Sequence, residues 1–461
     1  MSDSLLAALR DLLGPKRVLT GEALRERYVH IWRMTEGLRA QALVLPQNTQ
    51  EVAAIVRLCH QRGQSIAIHG GLTNLVGSTD TRPEQIVLST ERLNRIEEVD
   101  EQSRSITVQS GVILSEVQAA ARERELLFPL NFGAKGSARI GGILSTNAGG
   151  LRVFRFGMTR QLVLGLEAVL PDGTIVNSLK KIIKDNSGYD LKQLFIGSEG
   201  TLGIITRAVL KLVEMPRSRN SAVIGMQDYQ QATGLLKFLD RNLAGTLSAY
   251  ELIWPATYRA MTSPPAIPKP PLPYDYAYYV LVDSLGSHPE ADRDRLLELL
   301  LEAQERGLLA EAVPALSEAD LDWFWRIRED VRVVADRSPY DQHFDVSLPI
   351  SDIGAYVAQR RPELARLEGV EGVYAFGHVA DGNVHFIIGK TRADDGLRLR
   401  INELVYAPLR ELGGSVSAEH GIGTHKKAYL HLSRSPAEIA LMRLLKNSLA
   451  PRGILNPGLI L

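Results

Sequence analysis

One cysteine, Cys59, stands in 461 residues, so no disulfide can close within the chain. A reducing, cytoplasmic-type compartment is the default reading for such a sequence. An excess of either charge is also missing: 53 Lys and Arg balance 53 Asp and Glu. That excludes a nucleic-acid binder working through bulk positive charge. No apolar run comes near the ~18 residues that a transmembrane helix needs. The start, MSDSLLAALRDLLG, carries Asp3 and Asp11 and no basic stretch ahead of an apolar one, so it does not read as a signal peptide. Its leucines recur at helical spacing instead. What is present is an ordinary globular mixture, 45% hydrophobic and 23% charged, which excludes a disordered chain. At roughly 150 residues per domain, the length predicts two or three domains, each able to bury a core.

Residues 40–62 read as strand, cap and helix. ALVLPQ is extended, Asn48 is the N-cap, and Glu51 three residues on makes a capping-box pattern. Val52, Ile55, Val56 and Cys59 form an apolar helix face that Gly63 ends. The patterning predicts strands at 65–69, 85–90 and 105–111, a helix at 114–125, and a hairpin at 164–176 turning on Asp172-Gly173. No repeat of 20–50 residues is visible. Near 216 the character changes to longer alternating strand-like and helix-like pieces, with helices near 228–240 and 288–307. Between them PPAIPKPPLP (264–273) holds six prolines in ten residues, which predicts a stiff extended loop. A boundary near 216 and a mixed α+β second domain follow.

Three segments before that boundary are dense in glycine: HGGLTNLVGS (69–78), GAKGSARIGGILSTNAGG (133–150) and GSEGTLGIIT (197–206). Successive N–H groups in such a turn form an anion nest suited to phosphate, although the first segment alone reads more readily as a plain loop. It is neither a Rossmann fingerprint nor a P-loop, because G-x-G-x-x-G and Gly-Lys-Ser/Thr are both absent. In the second segment Gly141, Gly142, Gly149 and Gly150 would let backbone approach a flat ligand. Three such tracts in one domain suggest an extended, wrapped cofactor.

These tracts, with DNSGYDLKQLFIGSEGTLGIIT, closely resemble the FAD-binding domain of the vanillyl-alcohol oxidase/para-cresol methylhydroxylase flavoproteins, over nearly the whole chain. The resemblance is greatest to the branch of D-2-hydroxyglutarate and D-lactate dehydrogenases. It implies an α+β fold: a two-part FAD domain (39–216) after an N-terminal helical segment (1–38), then a cap domain with an antiparallel sheet (217–430). A C-terminal helix and tail (431–461) would return to the FAD domain. It also implies FAD phosphates at Gly70, Gly71, Thr73 and Asn74. The flavin would lie near Ser137, Ile140, Gly141, Gly142, Thr146, Asn147 and Gly150. Further cofactor contacts carried over are His69, Leu72, Ser78, Pro129, Gly133, Ser145 and Gly149, then Glu199, Gly203, Ile204 and Asn456. Some relatives tether FAD through a histidine after Gly-Gly. Leu72 stands there, which predicts non-covalent FAD.

YAFGHVADGNVHFIIG (374–389) reads as a hairpin on a two-residue Asp381-Gly382 type I′ turn, which would set His378 directly opposite His385. Two imidazoles so placed could chelate one divalent ion, or be two half-buried histidines. VSAEHGIG (416–423) adds Glu419 and His420. The resemblance implies that His378, His385 and Glu419 hold a divalent metal, zinc or manganese, and that His420 is the catalytic base. It further implies Arg328 on the substrate carboxylate. A Thr, a Lys and an Asn of the 2-hydroxyglutarate pattern appear here as Arg332, His343 and Ile387. Ile387 should share a face with His385 and line the pocket.

The implied reaction is oxidation of a D-2-hydroxyacid (D-2-hydroxyglutarate, D-lactate or a bulkier acid) to the 2-oxo acid, with hydride passing to the flavin. A quinone or an electron-transfer flavoprotein would take the electrons, and a homodimer is compatible. A flavin oxidase using O₂ and a flavin-binding subunit of an electron-transfer complex are the alternatives.

Overall fold

A computed structural model describes residues 2–32, 37–266 and 268–461, so parts of the 1–38 segment (1 and 33–36) and Ile267 of the proline tract lie outside the described residues. The chain divides into two compact units. The first comprises 1–149, 158–215 and 419–461; the second comprises 150–157 and 216–418.

The first unit opens with the helix Ser2–Leu13, whose Leu5, Leu9 and Leu13, four residues apart, are buried. Its first sheet has strands β1 (Val18–Leu19), β2 (Ala42–Val44), β3 (Ile66–His69) and β4 (Ile86–Ser89) in the order β1-β2-β4-β3. Strands β2 and β3 both run parallel to β4. The helix Thr49–Arg62 connects β2 to β3 and buries Val52, Ile55, Val56 and Cys59. Asn48 caps it by accepting the Glu51 N–H, and Gly63 ends it in the left-handed region at φ 65°. The Glu51 carboxylate binds the Gln47 N–H and Arg17 instead of the Asn48 N–H, so the capping box does not close.

The second sheet combines β5 (Ile96–Asp100), β6 (Ser105–Gln109), β8 (Val163–Val169), β9 (Ile175–Ser178) and β10 (Ile204–Lys211), antiparallel, in the order β5-β6-β10-β8-β9. A short ladder joins β7 (Leu126–Leu127) to β11 (Val213–Glu214). The hairpin β8–β9 turns through Pro171, Asp172 and Gly173: Leu170 N–H donates to Thr174, and Gly173 has φ 85°. The helix predicted over 114–125 ends at Arg122.

The second unit is built on one seven-stranded antiparallel sheet. Its strands are β12 (Ser218–Met226), β13 (Leu247–Ile253), β14 (Tyr278–Gly286), β15 (Glu311–Pro314), β16 (Tyr340–Ser347), β17 (Val370–His378) and β18 (Asn383–Lys390). Their order is β15-β12-β14-β13-β17-β18-β16. Both faces are covered, which is why every residue of β13 and β18 is buried. On one face Tyr250 donates to the Ala232 carbonyl of helix Tyr229–Leu243. There Phe344 meets Tyr406, and Phe386 meets Tyr356. The opposite face packs Ile253, Leu281, Phe376 and Ile387 against Tyr258, Met261, Phe324 and Ile327. No helix among the described residues is long and apolar enough to cross a membrane.

Segment 419–430, expected with the cap, groups with the first unit. Hydrogen bonds explain this: the N–H groups of Ile422 and Gly423 donate to Glu199, and that of Thr424 donates to the Val76 carbonyl. The tail also pairs there, with Ile66 N–H on the Ile454 carbonyl and Asn456 N–H on the Ile66 carbonyl.

Candidate active site

Strand register decides which side chains of the second unit meet. Glu251 on β13 opposes His378 on β17; Phe376 on β17 opposes His385 on β18; His385 in turn opposes Asp345 on β16. His343 opposes Ile387, which also opposes Tyr374. Residues two apart on a strand share a face. Glu251, His378, His385, Ile387, His343 and Asp345 therefore all project from one side of the sheet.

The expected two-residue turn in the histidine hairpin is wrong. Strand β17 ends at His378, a 3₁₀ turn covers Val379–Asp381, and Gly382 follows in the left-handed region at φ 86°. A side chain at Gly382 would sit 2.7 Å from the Leu348 carbonyl as well as straining the backbone, so the position needs glycine. The longer turn shifts the register by two residues. An even shift preserves facing, so the two histidines meet diagonally on one face, rings perpendicular (89°) with centroids 5.3 Å apart.

Glu419 follows directly on Ala418, whose N–H donates to the Asp345 carbonyl of β16. One ligand atom each from His378, His385 and Glu419 lies within 4.8 Å of the others. His378 Nδ1 is 2.5 Å from Glu251 Oε1, so a cation held by His378 would be met by Nε2. A carboxylate behind a ligand histidine is the usual second support of a metal site. The donor set thus fits a divalent cation with room for substrate oxygens.

Arg328 lies in helix Glu318–Glu329 and is buried. Its Nε donates to Glu251 Oε2 at 2.6 Å, and its guanidinium carbon lies 4.7 Å above the Phe376 ring. Its two terminal nitrogens donate to no other group among the described residues. Burial by itself would raise the Glu251 carboxyl, but the charges of His378 and Arg328 outweigh it and hold it below the usual range. Arg332 is exposed at the start of a short helix. His343 Nε2 lies 2.8 Å from Asp341 Oδ2, and Ile387 is buried in the apolar cluster of that face.

In the first unit the glycine tracts meet each other. A Cβ on Gly70 would touch the Gly142 Cα at 3.5 Å, and one on Gly71 would run into the Ser137 carbonyl. A Cβ on Gly142 would meet nothing within 4 Å, and Leu72 adopts φ 57°. This close-backed, open-fronted cradle fits a flat extended cofactor.

Several polar side chains carried over to that cofactor also have hydrogen-bond partners within the fold. His69 is buried, and its Nε2 bonds the Thr79 carbonyl at 3.0 Å. Burial pushes its imidazole down to about 4. Asn74 accepts from the Val76 and Ser78 N–H groups and braces its own loop. Thr146 Oγ1 bonds the Gly142 carbonyl, and Asn147, at φ 51°, accepts the Arg160 N–H. Glu199 accepts from Ser78 Oγ, Ile422 N–H and Gly423 N–H, so it clasps the loop that carries His420. Burial lifts its carboxyl above the ordinary range despite these donors. Asn456 bonds both Ile68 N–H and the Glu199 carbonyl.

Gly203 packs under the Phe195 ring, Ile204 belongs to the core, and Pro129 is buried. A Cβ on Gly149 would lie 2.7 Å from Glu419 Oε1; Gly150 has φ 147°, while Gly133 faces open space. Ser145 gives its carbonyl to the Glu199 N–H, and the Leu72 carbonyl accepts the Ile31 N–H. Gly141 backs onto Ser110, Ile140 is buried beside it, and Thr73 and Ser137 are half-buried.

Two residues of the cap face escaped sequence reasoning. Glu251 lies in a strand without a motif, far from its partners along the chain. Asn383 shares the face of His385, and both amide atoms of its buried side chain lack a partner among the described residues. The Asn-x-His spacing was its only signal.

Residues 215–460 match the family described as FAD linked oxidases, C-terminal domain, and residues 40–178 match the FAD binding domain. A mitochondrial D-2-hydroxyglutarate dehydrogenase of Danio rerio is 35% identical over 98% of this chain and 84% of its own length. A D-2-hydroxyglutarate–pyruvate transhydrogenase of Saccharomyces cerevisiae is 32% identical over 98% of this chain and 93% of its own. The structure of p-cresol methylhydroxylase with substrate bound superposes with a TM-score of 0.78 at 16% identity, over 99% of this chain and 96% of that one, a likeness of fold. The chain belongs to the FAD-linked oxidases, in the group of D-2-hydroxyglutarate and D-lactate dehydrogenases.

Proposed function

We propose that this protein is an FAD- and divalent-metal-dependent dehydrogenase that oxidises a D-2-hydroxyacid to the 2-oxo acid. The observation that carries the reading is the convergence of His378, His385 and Glu419 within 4.8 Å, in a chain whose relatives are named for that chemistry. Bound FAD supplies the hydride acceptor, and a zinc or manganese ion supplies positive charge beside the substrate oxygens. The glycine cradle of the first unit holds the FAD, non-covalently because Leu72 cannot form a link. Arg328 offers its two terminal nitrogens to a substrate carboxylate. His420, next to Glu419 on the loop clasped by Glu199, takes the proton of the 2-hydroxyl.

Ile387 and the His343–Asp341 pair leave the far end of the pocket less cationic than a second carboxylate prefers. This supports a D-2-hydroxyacid with a less polar tail, such as D-lactate, at least as well as D-2-hydroxyglutarate. A quinone or an electron-transfer flavoprotein is the acceptor class that fits a dehydrogenase, and a homodimer is compatible with it. The lone buried cysteine supports a reducing compartment. Cytoplasm is the reading from sequence, whereas the animal relative is named mitochondrial.

The test is anaerobic bleaching of the flavin near ~450 nm, where oxidised flavin absorbs, by a panel of D- and L-2-hydroxyacids. At least one D-acid should bleach it. His420→Ala should keep FAD and metal yet lose the bleaching. A panel without any response, or near-normal reduction of the variant, would sink the assignment.

A further inference from the structure

We propose that Glu251 is a positioning residue that sets the metal ligand His378 and the substrate arginine Arg328 with a single carboxylate. The inference rests on the metal-dependent reading above. Glu251 is completely buried on β13, in register with His378 on β17. Each of its oxygens has one partner from a different element: Oε1 lies 2.5 Å from His378 Nδ1, and Oε2 lies 2.6 Å from Arg328 Nε.

The two bonds have different consequences. An anion at Nδ1 keeps the proton on that nitrogen, so the Nε2 lone pair is directed at the cation. At the arginine, using Nε leaves the two terminal nitrogens as a planar fork for a ligand carboxylate. Phe376 closes the arrangement: Arg328 lies over its ring at 4.7 Å, and that ring packs against the second histidine, His385, at 5.2 Å. One rigid group therefore sets the distance between metal and substrate anchor.

Packing alone does not call for this residue. A buried ion cluster is seldom more stable than apolar side chains of the same volume, and Ile253 two positions on fills the same face without charge. A role confined to stability predicts that Glu251→Gln lowers the melting temperature and leaves binding by the folded protein unchanged. Positioning predicts a different pattern. The glutamine has one acceptor oxygen for two donors, so one partner loses its support.

The experiment titrates zinc alone into metal-stripped, FAD-loaded protein, against a chromophoric chelator, for wild type and Glu251→Gln. The half-saturating D-2-hydroxyacid concentration for anaerobic flavin reduction is measured alongside. Zinc binding should weaken at least about tenfold, in the range seen when such supports are removed, and the half-saturating concentration should rise by a similar factor, with FAD content and circular dichroism unchanged. Wild-type zinc affinity in a folded variant overturns the inference and leaves the proposed function standing. A wild type that binds no zinc overturns both. If the variant does not fold, ¹⁵N shifts of the wild-type zinc protein decide, with His378 assigned through His378→Gln. Ligation through Nε2 with a protonated Nδ1 supports the inference, and ligation through Nδ1 ends it.

Discussion

Acid should weaken the first unit through His69, the residue that opens the first glycine tract. Its ring is buried, and Nε2–H donates to the Thr79 carbonyl, which ties together the two ends of the loop 69–79. Desolvation lowers its pKa from 6.5 to about 4. The folded-state value is the depressed one, so the sign follows from linkage. Above pH 6.5 neither state carries the proton and the full stability is present. Between 6.5 and about 4 the unfolded chain takes up the proton and the folded one does not, so stability falls as the pH drops through that window. At about 1.4 kcal/mol for each pH unit, the gap amounts to about 3 kcal/mol.

His69→Gln can keep a donor near the Thr79 carbonyl without titrating. Protection of the β3 and β4 amides against hydrogen exchange, corrected for intrinsic rates, should lose about 3 kcal/mol less in the variant than in wild type across that window. FAD release on mild acidification should be delayed in the same way. A His69 NMR titration midpoint near 6.5, or identical acid slopes in the two proteins, would refute the argument.

Further outcomes follow from the cradle and the pocket. Gly71→Ala should abolish FAD retention or cost at least about 1–3 kcal/mol of stability, because its Cβ would run into the Ser137 carbonyl; absorbance of the purified protein and its melting curve report both. Ile387→Asn places a polar group between His343 and Tyr374 on the face of His385. It should raise kcat/KM for D-2-hydroxyglutarate relative to D-lactate by about tenfold, the value of one polar contact to a charged group. An unchanged ratio would show that this position does not meet the substrate tail.

Much of this was legible along the chain. The periodicity of Val52, Ile55, Val56 and Cys59 is a local property of one helix, and the structure buries all four. The change of character near 216 coincides with the start of the second unit's long segment at Pro216. The hairpin shows how partial success arises. Alternation put His378 and His385 on one face because facing depends only on parity, whereas the turn length, and with it the true partner of His378, came out wrong. The internal hydrogen bonds of the glycine tracts were the least legible. Asn74, Thr146 and Ser78, carried over to phosphate or flavin, each also bond within the fold, and no local pattern announces those bonds.

The sequence alone determined features that rest on neighbours within a few residues: helix faces, the Asn48 and Gly63 caps, the glycine tracts and the shared face of the histidine pair. Through resemblance it also determined the family. Only the tertiary structure decided what joins distant segments. Glu251 reaches His378 because β13 and β17, far apart in the chain, are adjacent in the sheet. Glu199 reaches the His420 loop across a still longer separation. Strand order and register carry no local signature, since they are set by how whole faces pack, and a buried carboxylate acquires its partners only when that packing is complete.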